Sequence, residues 1–232
     1  MLILAIDTST AMGSVALRND SQLIGAISTS VALTHSEGLM PAIDALMQRT
    51  GCSIADVEGV ACVSGPGSFT GLRVGMASAQ GIAMARGLPC VTCTSMELLA
   101  RGVPQANAPL CPLMPARKGW LYAQFFTSAH PAPQPLSEEK QLTMEALVAE
   151  IHQPTILFGP GLTGYREAWR EILGADFLEL PQAFDVLRAD LLAEYALTEI
   201  QAGRTLHPAQ LQPHYLAPSQ AEAKRFEQAA ST

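Results

Sequence analysis

Charge is scarce in this chain of 232 residues: Asp, Glu, Lys and Arg make up 15% of it, against about 25% in an average soluble domain. Only three of its cations are lysines (Lys118, Lys140 and Lys224), and the formal net charge is −7. Hydrophobic residues make up 48%, which excludes intrinsic disorder, because disorder requires few hydrophobic residues and high net charge. The composition also argues against a broad phosphate-binding face made by this chain alone. It predicts that part of the surface is covered by something other than water.

Long apolar runs are also missing. No stretch approaches the roughly 20 apolar residues of a membrane span, and the start of the chain lacks a basic segment and soon reaches Asp7, so no signal peptide is expected. Five cysteines, an odd number, predict reduced thiols and a cytoplasmic protein. Cys90 and Cys93 have the spacing of a redox or metal motif. They fall in a predicted strand, however, where residues three apart point to opposite faces, so buried thiols are favoured.

Hydrophobic periodicity predicts an α/β protein of two lobes that face a cleft. Residues 1–103 alternate predicted strands and helices and form the first lobe, which carries the partner-binding helix. A proline-containing linker then leads into residues 104–232, which partly repeat the same order and form a smaller second lobe. A long helix is expected near 185–202, packing back on the first lobe.

The first motif that could carry chemistry is Asp7-Thr8-Ser9-Thr10 at the end of the first predicted strand. A carboxylate followed by hydroxyls and a tight turn can hold a metal-bound phosphate, because backbone N–H groups and hydroxyls surround the oxygens while the acid faces the cation. A polar turn that simply ends a buried strand is about equally compatible with the same residues.

The second motif runs from Ser64 to Gly75 and joins a predicted strand to a predicted helix. It is not a Walker A loop, because no Lys-Ser or Lys-Thr pair follows its glycines. Further on, small residues recur every four positions and therefore share one helical face. A face of small residues lets another helix approach closely, so a packing or partner face is favoured over a phosphate cradle; packing against the chain's own sheet is the alternative. This ladder consists of Gly71, Gly75, Ala79 and Ala83.

Other candidate sites are weaker. Gly159 to Gly164 matches GxGxxG in a strand–turn–helix context, but a plain glycine-rich turn is favoured over a dinucleotide site. His35-Ser36-Glu37 lacks the second histidine of a metalloprotease helix. No nucleophile elbow is present. The sequence therefore predicts no metal site and no catalytic residue in this chain.

Taken together, several motifs resemble the bacterial TsaB (YeaZ) family. The most specific is Ser64-Gly-Pro-Gly-Ser-Phe-Thr-Gly-Leu-Arg73-Val-Gly75, and the resemblance is strong over the first 100 residues or so. In the second half, Ala116-Arg117-Lys118-Gly119 with Tyr122, and Pro213-His-Tyr215-Leu216, are also similar to the family. The other matching segments are Leu4 to Thr10, Ser14 to Leu17, and His35 to Pro41.

The resemblance implies a two-lobed actin-like ATPase fold, that of actin, sugar kinases and Hsp70. It also implies a non-catalytic scaffold subunit needed to make N6-threonylcarbamoyladenosine at position 37 of tRNAs that read ANN codons. In that family the partners are a TsaD-like subunit, which holds the metal and transfers the threonylcarbamoyl group, and a TsaE-like ATPase; the subunit alone homodimerises through the same helical face. ATP or ADP and a metal are then expected on the partners, and tRNA contact through the complex.

The resemblance places partner binding on the glycine-rich motif and the ladder. Asp7, Thr8, Ser9 and Thr10 would be a vestige of a nucleotide site. One departure concerns the second lobe, where Pro115 stands in place of the family's acidic residue and Trp120 in place of a Glu. Pro115 cannot hold a cation, which argues against nucleotide binding there. The alternatives are a glycoprotease-like metallopeptidase and a stand-alone actin-like ATPase or kinase. The expected partner-binding residues are Gly65, Pro66, Gly67, Ser68, Phe69, Thr70, Gly71, Arg73, Gly75, Ala79 and Ala83.

Overall fold

The computed structural model describes residues 1–30, 35–128 and 132–216, except for the side chains of His35 and Ser36. These residues form two five-stranded sheets and six α-helices. The first sheet contains β1 (Ile3–Asp7), β2 (Met12–Arg18), β3 (Leu23–Ser30), β4 (Gly59–Gly65) and β5 (Cys90–Thr94). The second contains β6 (Leu110–Pro115), β7 (Leu121–Ala123), β8 (Lys140–Leu142), β9 (Thr155–Phe158) and β10 (Phe177–Glu179). The helices are α1 (His35–Thr50), α2 (Phe69–Arg86), α3 (Ser95–Arg101), α4 (Met144–Val148), α5 (Arg166–Leu173) and α6 (Ala189–Gln201).

The two sheets have the same topology. Their strand orders are β3-β2-β1-β4-β5 and β8-β7-β6-β9-β10. In each, the first strand pairs antiparallel with the second and parallel with the fourth, while the outer pairs are antiparallel on one side and parallel on the other. The predicted α/β fold with two related lobes is confirmed. The turn after β1 and the turn after β6 therefore occupy equivalent places in the two lobes.

Strand β1 is buried along its whole length because helices cover both faces of the first sheet. Leu4 and Ile6 pack in one cluster with residues of α1 and α2. Ile3 and Ala5, which point the other way, pack with residues of α6. A strand covered on both faces has a continuous apolar sequence, as the run Ile-Leu-Ala-Ile does here.

Helix α6 follows the second sheet in the chain but lies on the first, against β1, β2, β4 and β5. At its start the Ala189 N–H donates to Ser14 Oγ (3.2 Å). One apolar cluster contains Leu192 of α6, Ala61 of β4 and Phe158 of β9, so the lobes share a core. The chain segment that carries α6 is therefore part of the first lobe's packing.

No helix in the described part of the chain is both long and apolar enough to cross a lipid bilayer.

Candidate functional site

A cleft of about 1500 Å³ lies between the lobes. The turn after β1 and the loop Pro66–Phe69 line it on the first-lobe side. The turn after β6 and the start of α5 line it on the second-lobe side. His214, Tyr215 and Leu216 also border it. The cleft therefore collects most of the motifs that the sequence singles out.

Asp7 ends β1 and has no exposed surface. Its Oδ1 accepts hydrogen bonds from the Ser9 N–H (2.9 Å) and the Ser9 hydroxyl (2.6 Å). Its Oδ2 is buried and has no partner among the described residues. Burial, only partly offset by the Ser9 hydrogen bonds, raises the pKa of this carboxyl to about 6.

The turn after β1 is covered by the chain itself. The Ser68 N–H donates to the Ser9 carbonyl (2.7 Å), and a Cβ on Gly67 would lie 2.3 Å from that oxygen. The Met12 N–H is taken by Thr10 Oγ1 (3.2 Å). Asp7 and Thr8 therefore lie inside the fold, and of the four motif residues Ser9 and Thr10 line the cleft. The residues do not fit a metal-bound phosphate, and the alternative of a polar turn describes this geometry.

Helix α2 packs its ladder inward, which corrects the expectation of a partner face. Ser68 begins the helix by accepting from the Gly71 N–H (3.2 Å). Gly71, Gly75, Ala79 and Ala83 are all buried. A Cβ on Gly75 would lie 2.2 Å from Thr8 Oγ1. The small residues thus let α2 approach the chain's own sheet, and the outer face of α2 must be formed by other residues.

The outward side of α2 carries a second row of residues at spacings of three and four. We call it the outer stripe: Thr70, Arg73, Ala77, Gly81 and Met84, all exposed. A Cβ on Gly81 would meet open space, and Met84 is 58% exposed. Helix α1 packs beside α2 and exposes Met40 next to Pro41. Among these exposed residues Arg73 carries the single charge.

Three residues form a cluster where α2 meets the cleft. Tyr215 stacks on Phe69 with ring centroids 5.1 Å apart. The Arg73 guanidinium carbon lies 3.9 Å from the Phe69 ring centroid, and Arg73 Nε donates to the Tyr215 hydroxyl (3.0 Å). Sequence reasoning assigned Phe69 and Arg73 to the partner surface but missed Tyr215; the family-like segment at residues 213–216 was the available signal.

Tyr215 belongs to a segment, Pro208–Leu216, that we call the C-terminal strap. Gln80 Nε2 donates to the Pro208 carbonyl (3.1 Å), and the His214 N–H donates to the Ser64 carbonyl (2.8 Å). The strap also reaches the second lobe, where His214 Nε2 lies 2.8 Å from Glu139 Oε2. A Cβ on Gly65, which has φ +125°, would lie 2.7 Å from the His214 carbonyl oxygen. Gly65 and the strap therefore fit each other.

The glycine-rich turn after β9 is packed against β6. A Cβ on Gly159 would lie 2.6 Å from the Leu113 carbonyl oxygen. The Gly159 N–H donates to Asp185 Oδ1 (2.7 Å), and the other oxygen of Asp185 pairs with Arg166. A carboxylate already occupies the N–H group that a phosphate would need. The structure thus agrees with a plain turn at this place.

The turn after β6 carries the departure from the family pattern. Pro115 ends the strand and is exposed at the cleft. Arg117 stacks on Trp120, with its guanidinium carbon 4.7 Å from the ring centroid. Where the equivalent turn of the first lobe has Asp7, this turn offers no carboxylate.

In the described part of the chain, no group of three or more His, Cys, Asp or Glu side chains is placed so that it could hold a metal ion. Cys90 and Cys93 are both buried free thiols, and burial raises the pKa of Cys90 to about 11. The described residues thus provide an open cleft, an exposed helical face and an aromatic–arginine cluster.

Comparison with known proteins gives results of three kinds. The model of the family described as "TsaD: tRNA N6-adenosine threonylcarbamoyltransferase" matches residues 17–140, just over half of the chain. The "tRNA threonylcarbamoyladenosine biosynthesis protein TsaB" of Bacillus subtilis is 26% identical over 98% of this chain and 99% of its own length. Among solved structures, YeaZ from Pseudomonas aeruginosa superposes with a TM-score of 0.79 at 23% identity, covering 93% of this chain and 99% of that one. An activator of 2-hydroxyisocaproyl-CoA dehydratase from Clostridium difficile superposes with a TM-score of 0.52 at 11% identity, covering 88% of this chain and 98% of that one.

Proposed function

The chain, whose residues 17–140 match the TsaD family model, belongs to the TsaB (YeaZ) family, and on that premise we propose that it is a scaffold subunit in the synthesis of N6-threonylcarbamoyladenosine on tRNA. In this role it pairs with a TsaD-like catalytic subunit and activates it, and a TsaE-like ATPase joins the pair. The modified base is adenosine 37 of tRNAs that read ANN codons, and the reaction takes place in the cytoplasm.

The observation that carries this proposal is the outer stripe on α2. It presents small and apolar side chains on a helix whose opposite side is already buried against the sheet. Small residues at helical spacing let a second helix come close, and burying such a face releases water from apolar surface. The partner that fits is a second helical pair of the same fold, either that of the TsaD-like subunit or, in its absence, that of a second copy of this chain.

A non-catalytic role is consistent with what the cleft offers. The Asp7 carboxylate is buried, and its Oδ1 already accepts a hydrogen bond from Ser9. The second lobe has Pro115 at the equivalent strand end. ATP or ADP and the metal ion then belong to the partner subunits, and tRNA is held by the assembled complex. The net charge of −7 supports this arrangement, because a subunit of that charge gains little from RNA phosphates on its own.

The experiment is reconstitution of tRNA modification from purified subunits of the native organism, with and without this chain. The complete set should modify tRNA, and omission of this chain should abolish or strongly reduce product. Ala77→Arg and Gly81→Arg on the outer stripe should each prevent pairing, and each should reduce modification as much as omission of this chain does. Arg204→Ala, an exposed change beyond the end of α6, is the control.

Two results would contradict the proposal. Full modification without this chain would remove the need for it. ATP hydrolysis or peptide cleavage by the isolated chain at enzymatic rates would instead support one of the alternatives, the actin-like ATPase or the metallopeptidase.

A further inference from the structure

Arg73 is held in one orientation although its side chain is exposed. The face of its guanidinium lies on Phe69, 3.9 Å from the ring centroid. Its Nε donates to the hydroxyl of Tyr215, a residue 142 positions away in the sequence (3.0 Å). A free arginine loses considerable side-chain entropy when it binds something, so an arginine that is already ordered binds at a lower entropic cost.

The terminal nitrogens of Arg73 remain available. Within the described residues neither one has a hydrogen bond, and no acidic side chain forms an ion pair with this arginine. Two parallel N–H groups on a rigid plane match the two oxygens of a carboxylate or a phosphate. The cluster therefore presents an oriented, unsatisfied anion-binding group to solvent.

Arg73 is also a member of the outer stripe. It lies four residues before Ala77 and eight before Gly81, so all three share one side of α2. A partner that covers Ala77 and Gly81 with an apolar helix face must pass beside the guanidinium. Interfaces of this kind concentrate their binding energy in a few aromatic and arginine residues near apolar contacts.

We propose that Phe69, Arg73 and Tyr215 form the charged anchor of the partner-binding surface, and that this anchor takes a carboxylate carried by the TsaD-like subunit beside its apolar helix face. The inference rests on the proposed function, since it needs the outer stripe to be the interface. A protein carboxylate is favoured over an RNA phosphate because the chain has a net charge of −7 and the anchor adjoins an apolar surface. Tyr215 is the positioning residue: it acts through Arg73, and it makes the C-terminal strap part of the interface.

The test measures the affinity of the full-length chain for the TsaD-like subunit by titration calorimetry. Arg73→Ala should weaken binding by about 30-fold, the loss typical of an interface hot spot. Arg73→Lys keeps the charge but loses the planar fork, and should weaken it by about tenfold. Tyr215→Ala should weaken it by a similar factor, and Tyr215→Phe, which keeps the stacked ring, by less than Tyr215→Ala. Tyr165→Ala and Arg204→Ala, exposed residues outside the cluster, should leave it unchanged.

The outcomes separate the anchor from the proposed function. If Ala77→Arg abolishes pairing while Arg73→Ala and Tyr215→Ala bind as the wild type does, the anchor is wrong and the function stands. If Ala77→Arg pairs normally, the interface itself is wrong. If Arg73→Ala leaves pairing intact but weakens tRNA binding by the assembled complex, the anion is an RNA phosphate and the proposal is overturned. Unchanged thermal unfolding midpoints of the free variants show that a loss of binding does not come from unfolding.

Discussion

Gly75 of α2 lies directly against Thr8, the residue that follows β1, so closely that a Cβ on Gly75 would stand 2.2 Å from Thr8 Oγ1. The same hydroxyl donates to the Gly71 carbonyl one turn earlier (2.7 Å). This hydrogen bond and close contact join the Asp7–Thr10 motif to the Ser64–Gly75 motif, which is the segment most specific to the family. The contact explains why the residues of the inner ladder of α2 are small, and the outer stripe on the opposite side stays exposed.

The first prediction concerns this contact. Gly75→Ala should lower the free energy of unfolding by about 2 to 3 kcal/mol, because the new methyl group overlaps the Thr8 hydroxyl, which cannot move away without losing its hydrogen bond to the Gly71 carbonyl. Gly81→Ala, on the same helix but facing open space, should raise stability by about 0.5 to 1 kcal/mol through helix propensity. Urea unfolding measures the change in the free energy of unfolding for both variants. Equal changes would show that the close approach at Gly75 is not as described. Substitutions at Gly75 or Ala79 accordingly test packing and not pairing.

The second prediction concerns pH. Burial raises the pKa of Asp7 from 3.8 to about 6, so between these values the folded chain holds a proton that the unfolded chain has lost. Raising the pH through this window should therefore lower the free energy of unfolding, by about 3 kcal/mol in all. Denaturant unfolding at pH 4 to 8 measures it.

The Asp7→Asn variant should lose that part of the pH dependence, because it cannot ionise. Asp44→Asn, an exposed change on α1, is the matched control and should keep the wild-type profile. If the Asp7→Asn and wild-type profiles run parallel from pH 4 to 7, Asp7 does not ionise in the way we describe.

The third prediction compares two arginines on α5 that both contact Glu179. Arg166 also pairs with Asp185. This pair is largely buried, since the Arg166 side chain is 16% exposed and the Asp185 side chain 13%. Arg166→Ala leaves Asp185 without its cation and should cost about 2 to 3 kcal/mol of stability. Arg170→Ala removes exposed ion pairs with Glu167 and Glu179 and should cost less than about 1 kcal/mol. Thermal and urea unfolding measure both, and the reverse order would refute the assignment.

The fourth prediction concerns the thiols. All five cysteines are free; Cys52 is partly exposed and the other four are buried. Burial raises the pKa of Cys62 to about 12, which keeps it protonated and unreactive. A thiol reagent should therefore modify Cys52 alone in the native chain and all five in denaturant, and the Cys52→Ser variant should not react until it unfolds. Rapid native modification of Cys90 or Cys93, or a disulfide between them, would contradict the buried-thiol interpretation.

Much of the fold was predictable from local patterns. Strand β1 is an apolar run bounded by Asp7, and α2 begins at a capping serine and ends at Gly87, so both elements could be placed to within a few residues. The strand order of the second lobe was visible only as a partial repeat, because β7, β8 and β10 are three residues long. Such short strands carry too little periodicity to be recognised one by one.

The outward side of α2 was less predictable. Small residues occupy both sides of this helix, so its sequence shows little amphipathic contrast. The pattern favours the ladder of Gly71, Gly75, Ala79 and Ala83 as the partner face, whereas in the structure the chain's own sheet covers it. The decision depends on Thr8, which is distant in sequence. No local pattern contains that contact.

The sequence by itself determined the α/β class, the two-lobed arrangement and the family, since these follow from periodicity and from a long contiguous motif. Only the tertiary structure decided which side of α2 is free, that Asp7 is enclosed with Ser9, and that Tyr215 joins Phe69 and Arg73. The physical reason is the same in each case. These properties depend on which distant residue takes up a given surface or hydrogen bond, and a linear pattern reports only what neighbours along the chain prefer.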